Sequence, residues 1–366
     1  MNQYLWESDA PETDLWQQLS LCGRPLLVYG MGNGADKLTL RLEARGLSVA
    51  DYFASDGFVR GQSFRGRRVL SRAEALSRHD APIILLAFAS NRPEVLSMLY
   101  GLDAETELYM PDLPVSGEET FDLAFYRAHL SELREAAELL ADEESRRILD
   151  RVLRYKLSGR ISYLRETGQG RADLSDILHY GRYRTALDGG AYSGDTAAAL
   201  LDRAASLREL LALEPDRRTF RRLSRYAEGE RRARVIPICA ALCDEVGSRT
   251  FSVSGNRNST LGVGSFESSR ETVGTLTVDS LDRDLDYIKL DVEGAEREAL
   301  LGARKTILRC RPELLVSVYH RSEDIFALPL LLRELCPDYD FYLRRDECVP
   351  AWELNLLAVP KGGSLV

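Results

Sequence analysis

The most informative stretch of the chain is residues 187–196, Leu-Asp-Gly-Gly-Ala-Tyr-Ser-Gly-Asp-Thr, which combines a strand end, a glycine turn and a helix start. Gly189 and Gly190 can adopt positive φ and let backbone N–H groups approach a ligand. Asp195 and Thr196 stand where a helix N-terminus takes capping acceptors. The segment therefore predicts a ligand-binding turn between a strand and a helix.

Asp188 places a carboxylate at the start of this glycine turn. A dinucleotide-binding fold has G-x-G-x-x-G there with a phosphate over the helix, whereas an acid suits a ligand with positive charge and hydroxyl groups. S-adenosylmethionine has that chemistry and is the ligand we expect. The alternative is an ordinary tight turn, because short glycine motifs often occur without a ligand.

The composition excludes several classes of protein. The chain has 366 residues, enough for two domains, and its net charge of −9 with both signs interspersed argues against a nucleic-acid partner. The six cysteines form no C-x-x-C pair and the four histidines do not cluster with them, so we expect free thiols, a reducing compartment and no built metal site. The longest apolar run, residues 83–89, is far below the ~20 residues that span a bilayer, so we expect a cytoplasmic protein.

Alternating strand and helix patterns in residues 173–366 predict an α/β domain with a seven-stranded, doubly wound sheet. Ligands bind such sheets at the carboxyl ends of the strands. The expected strands are 184–188, 206–214, 233–239, 287–291, 313–319, 339–344 and 353–359, of which the last two form a hairpin.

Two further segments precede that domain. Residues 1–115 predict a smaller Rossmann-like α/β domain, since short apolar strands alternate with helical patterns. Residues 116–172 predict long amphipathic helices without a Pro-rich or low-complexity linker, so we expect a packed helical connector.

The N-terminal domain has a glycine turn of its own at Gly30, Gly32 and Gly34. Its spacing is weaker than the full dinucleotide fingerprint, although Asp51 and Asp56 lie about where a ribose-binding acid is expected. A nucleotide or sugar-nucleotide site here and a domain kept for packing or assembly both remain open.

Two acids and a run of small residues follow the next strands of the C-terminal domain. Glu214 ends the second strand, where an acid can accept both hydroxyls of a ribose; a helix-capping role is the alternative, which Asp216 could fill instead. Ala240, at the end of the third strand, would let an adenine ring lie flat, and Asp244 would accept from its amino group.

The fourth strand ends in carboxylates at residues 288–296. Asp291 and Glu293 are two apart and would share a side in extended backbone, as base, metal ligands or caps, whereas we expect Glu296 to sit in the first turn of the next helix. His320 follows the fifth strand on the same side of the sheet. Asp291 and His320 are the candidates to accept a proton from an attacking hydroxyl.

The chain resembles the FkbM family of S-adenosylmethionine-dependent methyltransferases over residues 173–360. The stretches that carry the resemblance are DGGAYSGDT at 188–196, LEPD at 213–216, VDSLDRDLDYIKLDVEGAEREALLGA at 278–303 and YHRSEDIFALPLLLREL at 319–335. The third is the most specific. Residues 140–159 also resemble the helical lead-in of longer members.

The resemblance implies a class I methyltransferase fold in which Asp291, Glu293 and His320 border the acceptor pocket. The residues expected to hold the cofactor are Asp188, Gly189, Gly190, Tyr192, Ser193, Gly194, Asp195, Thr196, Glu214, Ala240 and Asp244. No protein metal site is expected, and Mg²⁺ is left as an optional cofactor.

Members of the family methylate hydroxyls of sugars and small natural products, mostly as O-methyltransferases. The resemblance therefore implies a small-molecule or glycan acceptor, and the N-terminal domain hints at a nucleotide sugar. A homo-oligomer is compatible with the sequence. The alternatives are a non-catalytic scaffold or sensor that binds the cofactor or a nucleotide sugar, and a nicotinamide-dependent enzyme built on Gly30–Gly34.

Overall fold

The computed structural model describes residues 4–7, 11–168, 174–253, 260–261 and 269–362. Its first half folds around a parallel sheet, here called the N-terminal unit. The strands are β1 (Leu26–Tyr29), β2 (Val49–Ala54), β3 (Ser63–Phe64), β4 (Arg67–Arg68), β5 (Leu70–Ser71), β6 (Ile83–Leu86) and β7 (Leu108–Tyr109). Within the described residues, five of them pair in the order β5-β2-β1-β6-β7. β1 and β6 are fully buried apolar runs, as the centre of a parallel sheet requires.

Helices follow the strands of this unit and then continue without strands into the second half. The helices are α1 (Leu15–Cys22), α2 (Asn33–Glu43), α3 (Arg72–Arg78), α4 (Pro93–Glu105), α5 (Leu123–Ala128), α6 (Leu130–Glu138), α7 (Glu143–Ser158) and α8 (Ser162–Arg165). Several begin at acidic caps: Asp14, Asp122 and Asp142 each accept a backbone N–H three residues ahead.

The second half, here called the C-terminal unit, contains helices between long strands. The helices are α9 (Asp195–Arg203), α10 (Arg217–Gly229), α11 (Glu296–Leu301), α12 (Arg304–Cys310) and α13 (Asp324–Leu335). The strands are β8 (Thr185–Gly189), β9 (Glu209–Leu213), β10 (Arg234–Ile238), β11 (Ala241–Leu242), β12 (Gly247–Val253), β13 (Thr260–Leu261), β14 (Ser269–Leu276), β15 (Tyr287–Leu290), β16 (Glu313–Ser317), β17 (Tyr339–Arg345) and β18 (Leu354–Pro360).

Seven of these strands, counted over the described residues, form one sheet in the order β10-β9-β8-β15-β16-β18-β17. The first five are parallel, and β17 and β18 close the edge as an antiparallel hairpin. This confirms the predicted seven-stranded, doubly wound α/β fold. A small sheet of β11 to β14 beside it was not predicted from the sequence.

The two units share a continuous apolar core. Phe53 of β2 and Leu290 of β15 belong to one connected cluster of buried side chains. Between the units, α7 contacts β17, where the Ser145 hydroxyl accepts from the Leu343 backbone N–H at 2.9 Å. The predicted limits at residues 115/116 and 172/173 stay a prediction. Among the described residues, every helix is too short or too polar to span a bilayer.

Candidate active site

The glycine turn after β8 is shaped by close approach of neighbouring backbone. Gly190 has φ +78°, and a Cβ placed there would lie 1.8 Å from the Asp291 carbonyl oxygen. Gly194 has φ +97° with the Tyr226 ring against it, and Gly189 packs on Leu242. Gly190 and Gly194 favour glycine, because an L side chain at either would be strained and would collide. Gly189 instead ends β8 and does not take the positive φ expected of it. The turn leaves open the space in front of β8 and β9.

Asp188 lies at the end of β8 and is 2% exposed. It accepts a hydrogen bond from the Thr196 hydroxyl at 2.6 Å and pairs with the Lys289 ammonium at 2.9 Å. Thr196 therefore holds Asp188 and does not cap α9, whose N-cap position is occupied by Gly194. Asp195 is the first residue of that helix, where the dipole favours a carboxylate.

Lys289 was assigned no role from the sequence, although a lysine within a buried strand indicates that a carboxylate partner lies nearby. Its register partner on the neighbouring strand is Asp188. The ammonium also lies 3.4 Å from the Gly189 carbonyl and 3.3 Å from the Gly190 carbonyl, so it ties the turn to β15. Charge from Asp188 and Asp291 raises the pKa of Lys289 against the opposing effect of its burial.

Glu214 follows β9 and is 7% exposed. It accepts the Asp216 backbone N–H at 2.8 Å, while Asp216 caps α10 by accepting from the Thr219 N–H at 2.7 Å. The capping role thus belongs to Asp216, and the Glu214 carboxylate is left to face the cavity described below. Burial raises the pKa of Glu214 to about 7.

Ala240 and Asp244 separate in the structure. Ala240 is buried and lines the cavity together with Ala241 and Leu242. The Asp244 side chain instead pairs with Arg249 at 2.9 Å and accepts from the Cys243 thiol. The structure does not bring Asp244 to the cavity wall, so its contact with the cofactor stays a prediction.

The carboxylates after β15 converge on one buried histidine. His320 is 1% exposed; its Nδ1 lies 2.9 Å from Glu296 Oε1, and its Nε2 lies 3.4 Å from Asp291 Oδ1 and 3.7 Å from Glu293 Oε2. The expectation of an extended backbone at this point is wrong, because β15 ends at Leu290 and Glu293 has φ +57°. A tight turn, and not strand alternation, brings Asp291 and Glu293 to the same side.

Glu296 has the structural role expected of it. Its two carboxylate oxygens accept the backbone N–H groups of Val292 at 2.8 Å and Gly294 at 3.0 Å, at the start of α11. This closes the turn that carries Glu293. A buried carboxylate next to a histidine and two backbone donors is a fully engaged group.

The protonation of the cluster follows from its charges. Burial alone would lower the pKa of His320, but Glu296, Glu293 and Asp291 raise it to about 10, so the imidazole is protonated at neutral pH. Burial raises the pKa of Glu293 to about 8, against the opposing effect of His320. For Asp291, Lys289 and His320 outweigh burial and lower the pKa. Glu293 is therefore the member of this trio that titrates nearest to neutrality.

Asp291, Glu296 and His320 offer donor atoms within 4.8 Å of one another, the group in the described residues that could hold a metal ion. Glu296 already accepts two backbone N–H groups and pairs with the protonated His320, and Asp291 also lies near this imidazolium. That arrangement suits an internally neutralised ion cluster better than a metal centre, which requires a neutral imidazole.

These groups surround a cavity of about 770 Å³ at the carboxyl ends of β8, β9 and β15. The predicted site residues that line it are Gly190, Tyr192, Asp195, Thr196, Glu214, Ala240, Asp291, Glu293 and His320. Gly189 ends β8, and Ser193 and Gly194 belong to the turn that follows it. Asp188 lines a second, smaller cavity of about 150 Å³ together with Thr196 and Lys289. The structure thus brings six of the eleven expected cofactor residues and all three expected catalytic residues to one space.

The N-terminal unit supplies part of the wall, which sequence reasoning missed. Ser90 and Asn91, in the loop after β6, line the cavity together with Val115. Ser90 and Val349 exchange backbone hydrogen bonds of 2.8 and 2.9 Å, which fix this loop against the C-terminal unit. Local sequence carries no signal for this contact, since it joins residues far apart in the chain.

The glycine turn of the N-terminal unit has a different environment. A Cβ on Gly34 would lie 2.3 Å from the Ala87 carbonyl oxygen, so Gly34 lets α2 pack on the end of β6. Gly32 is the N-cap of α2, and Gly30 has φ +135°. Asp51, a possible ribose acid, is paired with His79 at 2.8 Å and is 8% exposed.

Comparison with known proteins agrees with this geometry. Residues 188–345 match the Methyltransferase FkbM domain family. The crystal structure of Methyltransferase FkbM from Methylobacillus flagellatus is similar with a TM-score of 0.71 at 21% identity, over 94% of each chain. No curated protein matches in sequence.

Two further solved structures share only a general likeness. Fibrillarin from Aeropyrum pernix with natively bound S-adenosyl-L-methionine aligns at 15% identity and TM-score 0.30, over 48% of this chain and 66% of that one. Precorrin-6y C5,15-methyltransferase from Geobacter metallireducens aligns at 10% identity and TM-score 0.32, over 51% and 87%. We draw nothing from these two.

The family match, on this fold, identifies a methyltransferase that uses S-adenosylmethionine. The residues fit that cofactor, because Gly190 lines the cavity with its backbone, and the buried acid Glu214 lines it too while Asp216 caps α10. More particularly, residues 188–345 match the model of the Methyltransferase FkbM domain family.

Proposed function

We propose that the protein is an O-methyltransferase that modifies a hydroxyl of a sugar, a glycan or a small natural product. The observation that carries the proposal is that Glu293 and His320 line the same cavity as the cofactor residues Gly190 and Glu214. A single space can therefore hold both reactants, and holding two reactants in line supplies most of the rate advantage for such a transfer.

When bound, S-adenosylmethionine supplies an electrophilic methyl group. The acceptor oxygen that receives the methyl must lose its proton, so the site needs a proton acceptor. Glu293 fits this task because its side chain faces the cavity and its pKa is about 8, close to neutral pH. The carboxylate can take the proton from the hydroxyl as the oxygen becomes nucleophilic.

His320 fits a different task from the one expected from sequence. Its pKa of about 10 keeps it charged, so the imidazolium neutralises Asp291, Glu293 and Glu296 and holds Glu293 in position. Asp291 is a weak base because its pKa is lowered. We therefore place the proton acceptor at Glu293 and assign His320 and Asp291 to positioning.

The opposite wall supports a hydroxyl-rich acceptor. Ser90 and Asn91 present hydroxyl and amide groups that can both donate and accept hydrogen bonds, as sugar hydroxyls require. Trp352 adds an aromatic surface to the same cavity. Pockets of this kind combine a few polar groups with aromatic walls.

We do not extend the proposal to a nucleotide at Gly30, Gly32 and Gly34. Gly34 is accounted for by its packing on Ala87, and Asp51 is accounted for by His79. The proposed acceptor site is the cavity between the two units.

The experiment is a turnover assay with S-adenosylmethionine and a panel of methyl glycosides, oligosaccharides and polyhydroxylated natural products, read by mass spectrometry. We expect S-adenosylhomocysteine to form together with a product that carries a new methyl ether. Glu293→Gln should abolish both signals, while the control Glu323→Gln should retain them. Cofactor binding without turnover on every acceptor would favour the non-catalytic scaffold, and methylation on nitrogen or carbon would refute the hydroxyl assignment.

A further inference from the structure

The outer face of α10 is a row of uncompensated arginines. Arg217, Arg218, Arg221, Arg222 and Arg225 are all exposed, and none takes part in an ion pair within the described part of the chain. The chain as a whole carries a net charge of −9, so this helix is a local reversal of sign.

This arrangement opposes the stability of the helix itself. Positions 217/221, 221/225 and 218/222 are like-charge pairs one turn apart, and such pairs destabilise a helix. After the Asp216 cap, the first turn of α10 contains two arginines and no acid, and the helix dipole disfavours cations at this end. A row that costs stability and has no partner in the fold points to a partner outside it.

The apolar side of the helix is already used. Leu223 is buried, and Phe220 and Tyr226 pack with it against Ala212 and Val235. The helix therefore has no apolar surface left to insert into a membrane interface, which such binding requires. Its outer face also lacks the aromatic side chains on which single-stranded nucleic acid stacks.

The row of arginines on α10 begins next to the rim of the cavity. Pro215, Asp216 and Thr219, which precede or begin α10, line the catalytic cavity. From Arg217 to Arg225 the row runs about 12 Å away from that rim, at 1.5 Å per residue. A linear ligand bound along it would end at the cavity mouth.

We propose that this row, residues 217–225, is a docking surface for an anionic polysaccharide whose free hydroxyls reach the cavity. Arginine binds carboxylate and sulfate groups through paired N–H donors, and a polysaccharide carries its charges on a flexible, base-free chain. The claim that the docked polysaccharide is methylated rests on the proposed function. Docking itself does not, because binding needs no turnover.

The test is calorimetric titration of the whole protein with a heparin oligosaccharide and with oligogalacturonate at low salt. We expect binding that weakens steeply with added salt and falls about tenfold in R221Q/R222Q. The matched control R304Q/K305Q removes two exposed charges from α12 and should keep the wild-type affinity. R221Q/R222Q should unfold at no lower temperature, since it removes like-charge repulsion.

Two results would overturn the proposal. One is equal affinity in R221Q/R222Q and wild type, or no binding of either oligosaccharide at low salt. The other is tighter binding of a single-stranded oligonucleotide or of vesicles with anionic lipid, lost in R221Q/R222Q, which would give the row to a different partner. Loss of docking with retained methylation of small acceptors separates this proposal from the proposed function.

Discussion

The two glycine turns of this chain follow the same local pattern but have different surroundings. After β8, Gly190 faces the Asp291 carbonyl and opens on the cavity. After β1, Gly34 faces the Ala87 carbonyl, and its glycine is explained by the packing of α2 on β6. The contrast shows that a strand–glycine turn–helix pattern indicates close backbone approach. Whether such a turn also borders a ligand cavity depends on the residues around it.

The acids of the two units differ in the same way. Asp188 and Glu214 lie at the ends of adjacent strands, where Glu214 lines the cavity, whereas Asp51 lies within β2 and pairs with His79. Both units also contain a histidine beside carboxylates. His320 is buried among three of them, while His79 and Asp51 form a partly exposed pair.

The largest expected effect is on turnover. Glu293→Gln should lower kcat by about 10²–10⁴, since general base catalysis contributes that much, with cofactor affinity retained. Steady-state kinetics with calorimetry would measure both. Glu323→Gln is the control, and a kcat within a few-fold of wild type in Glu293→Gln would remove Glu293 as the base.

The pH profile of kcat sharpens the same assignment. Because burial raises the pKa of Glu293 to about 8, kcat should rise as the pH passes through that value and Glu293 loses its proton. It should fall near pH 10, where His320 becomes neutral and no longer holds the cluster. The rise should be absent from the residual activity of Glu293→Gln; an unchanged rise there would assign it to another group.

His320 and His79 should differ in how much they contribute to the stability of the fold. His320→Gln leaves buried carboxylates without their countercharge and should cost about 3–5 kcal/mol in the free energy of unfolding at pH 8. His79→Gln should cost about 1 kcal/mol, because Arg78 also pairs with Asp51. Urea unfolding of both variants measures the difference. Equal losses of unfolding free energy would show that the two histidines do not differ in this role.

The sign of the pH dependence follows from the raised pKa of His320. Its contribution is fully present below the unfolded value near 6.5 and is lost as the pH rises through about 10. The stability of the wild type should therefore fall over that range, and His320→Gln should flatten the fall. A wild type that gains stability between these values would contradict the charge assignment.

Asp188 and Asp51 should differ in their effect on cofactor affinity. Asp188→Ala removes the partner of Lys289 and Thr196 and should weaken S-adenosylmethionine binding by about 100-fold, or ~2.7 kcal/mol. Asp51→Ala should leave that affinity unchanged, because its partners lie within the N-terminal unit. Calorimetry on folded protein decides; a loss in Asp51→Ala would place the cofactor elsewhere.

The smallest expected effect tests whether the N-terminal unit takes part in the site. Asn91→Ala removes one polar group from the cavity wall and should raise the KM for the acceptor about five-fold, the value of a single hydrogen bond, with little change in cofactor affinity. Arg92→Ala, next to it but paired with Glu94, is the matched control. Identical KM values in the two variants would reduce this loop to a structural contact.

Much of the C-terminal unit could be predicted because its signals are local. Apolar runs ending in Asp188, Glu214 and Asp291 mark strands and their ligand side, and the resulting seven-stranded sheet is confirmed. The small sheet of β11 to β14 was missed, since its strands lack an apolar period of their own. Asp244 was expected at the cofactor from its place in sequence; its side chain pairs with Arg249, and its contact with the cofactor stays a prediction.

Sequence alone was enough to show which acids and glycines follow the predicted strands of the C-terminal unit. Periodicity and turn residues act over a few positions, so they can be read without the fold. The folded arrangement was needed to see that His320 is protonated among three carboxylates, that Lys289 contacts the carbonyls of the glycine turn, and that Ser90 and Asn91 line the cavity. Those facts depend on burial and on distances between residues remote in the chain, and charges change their protonation only when folding removes them from water.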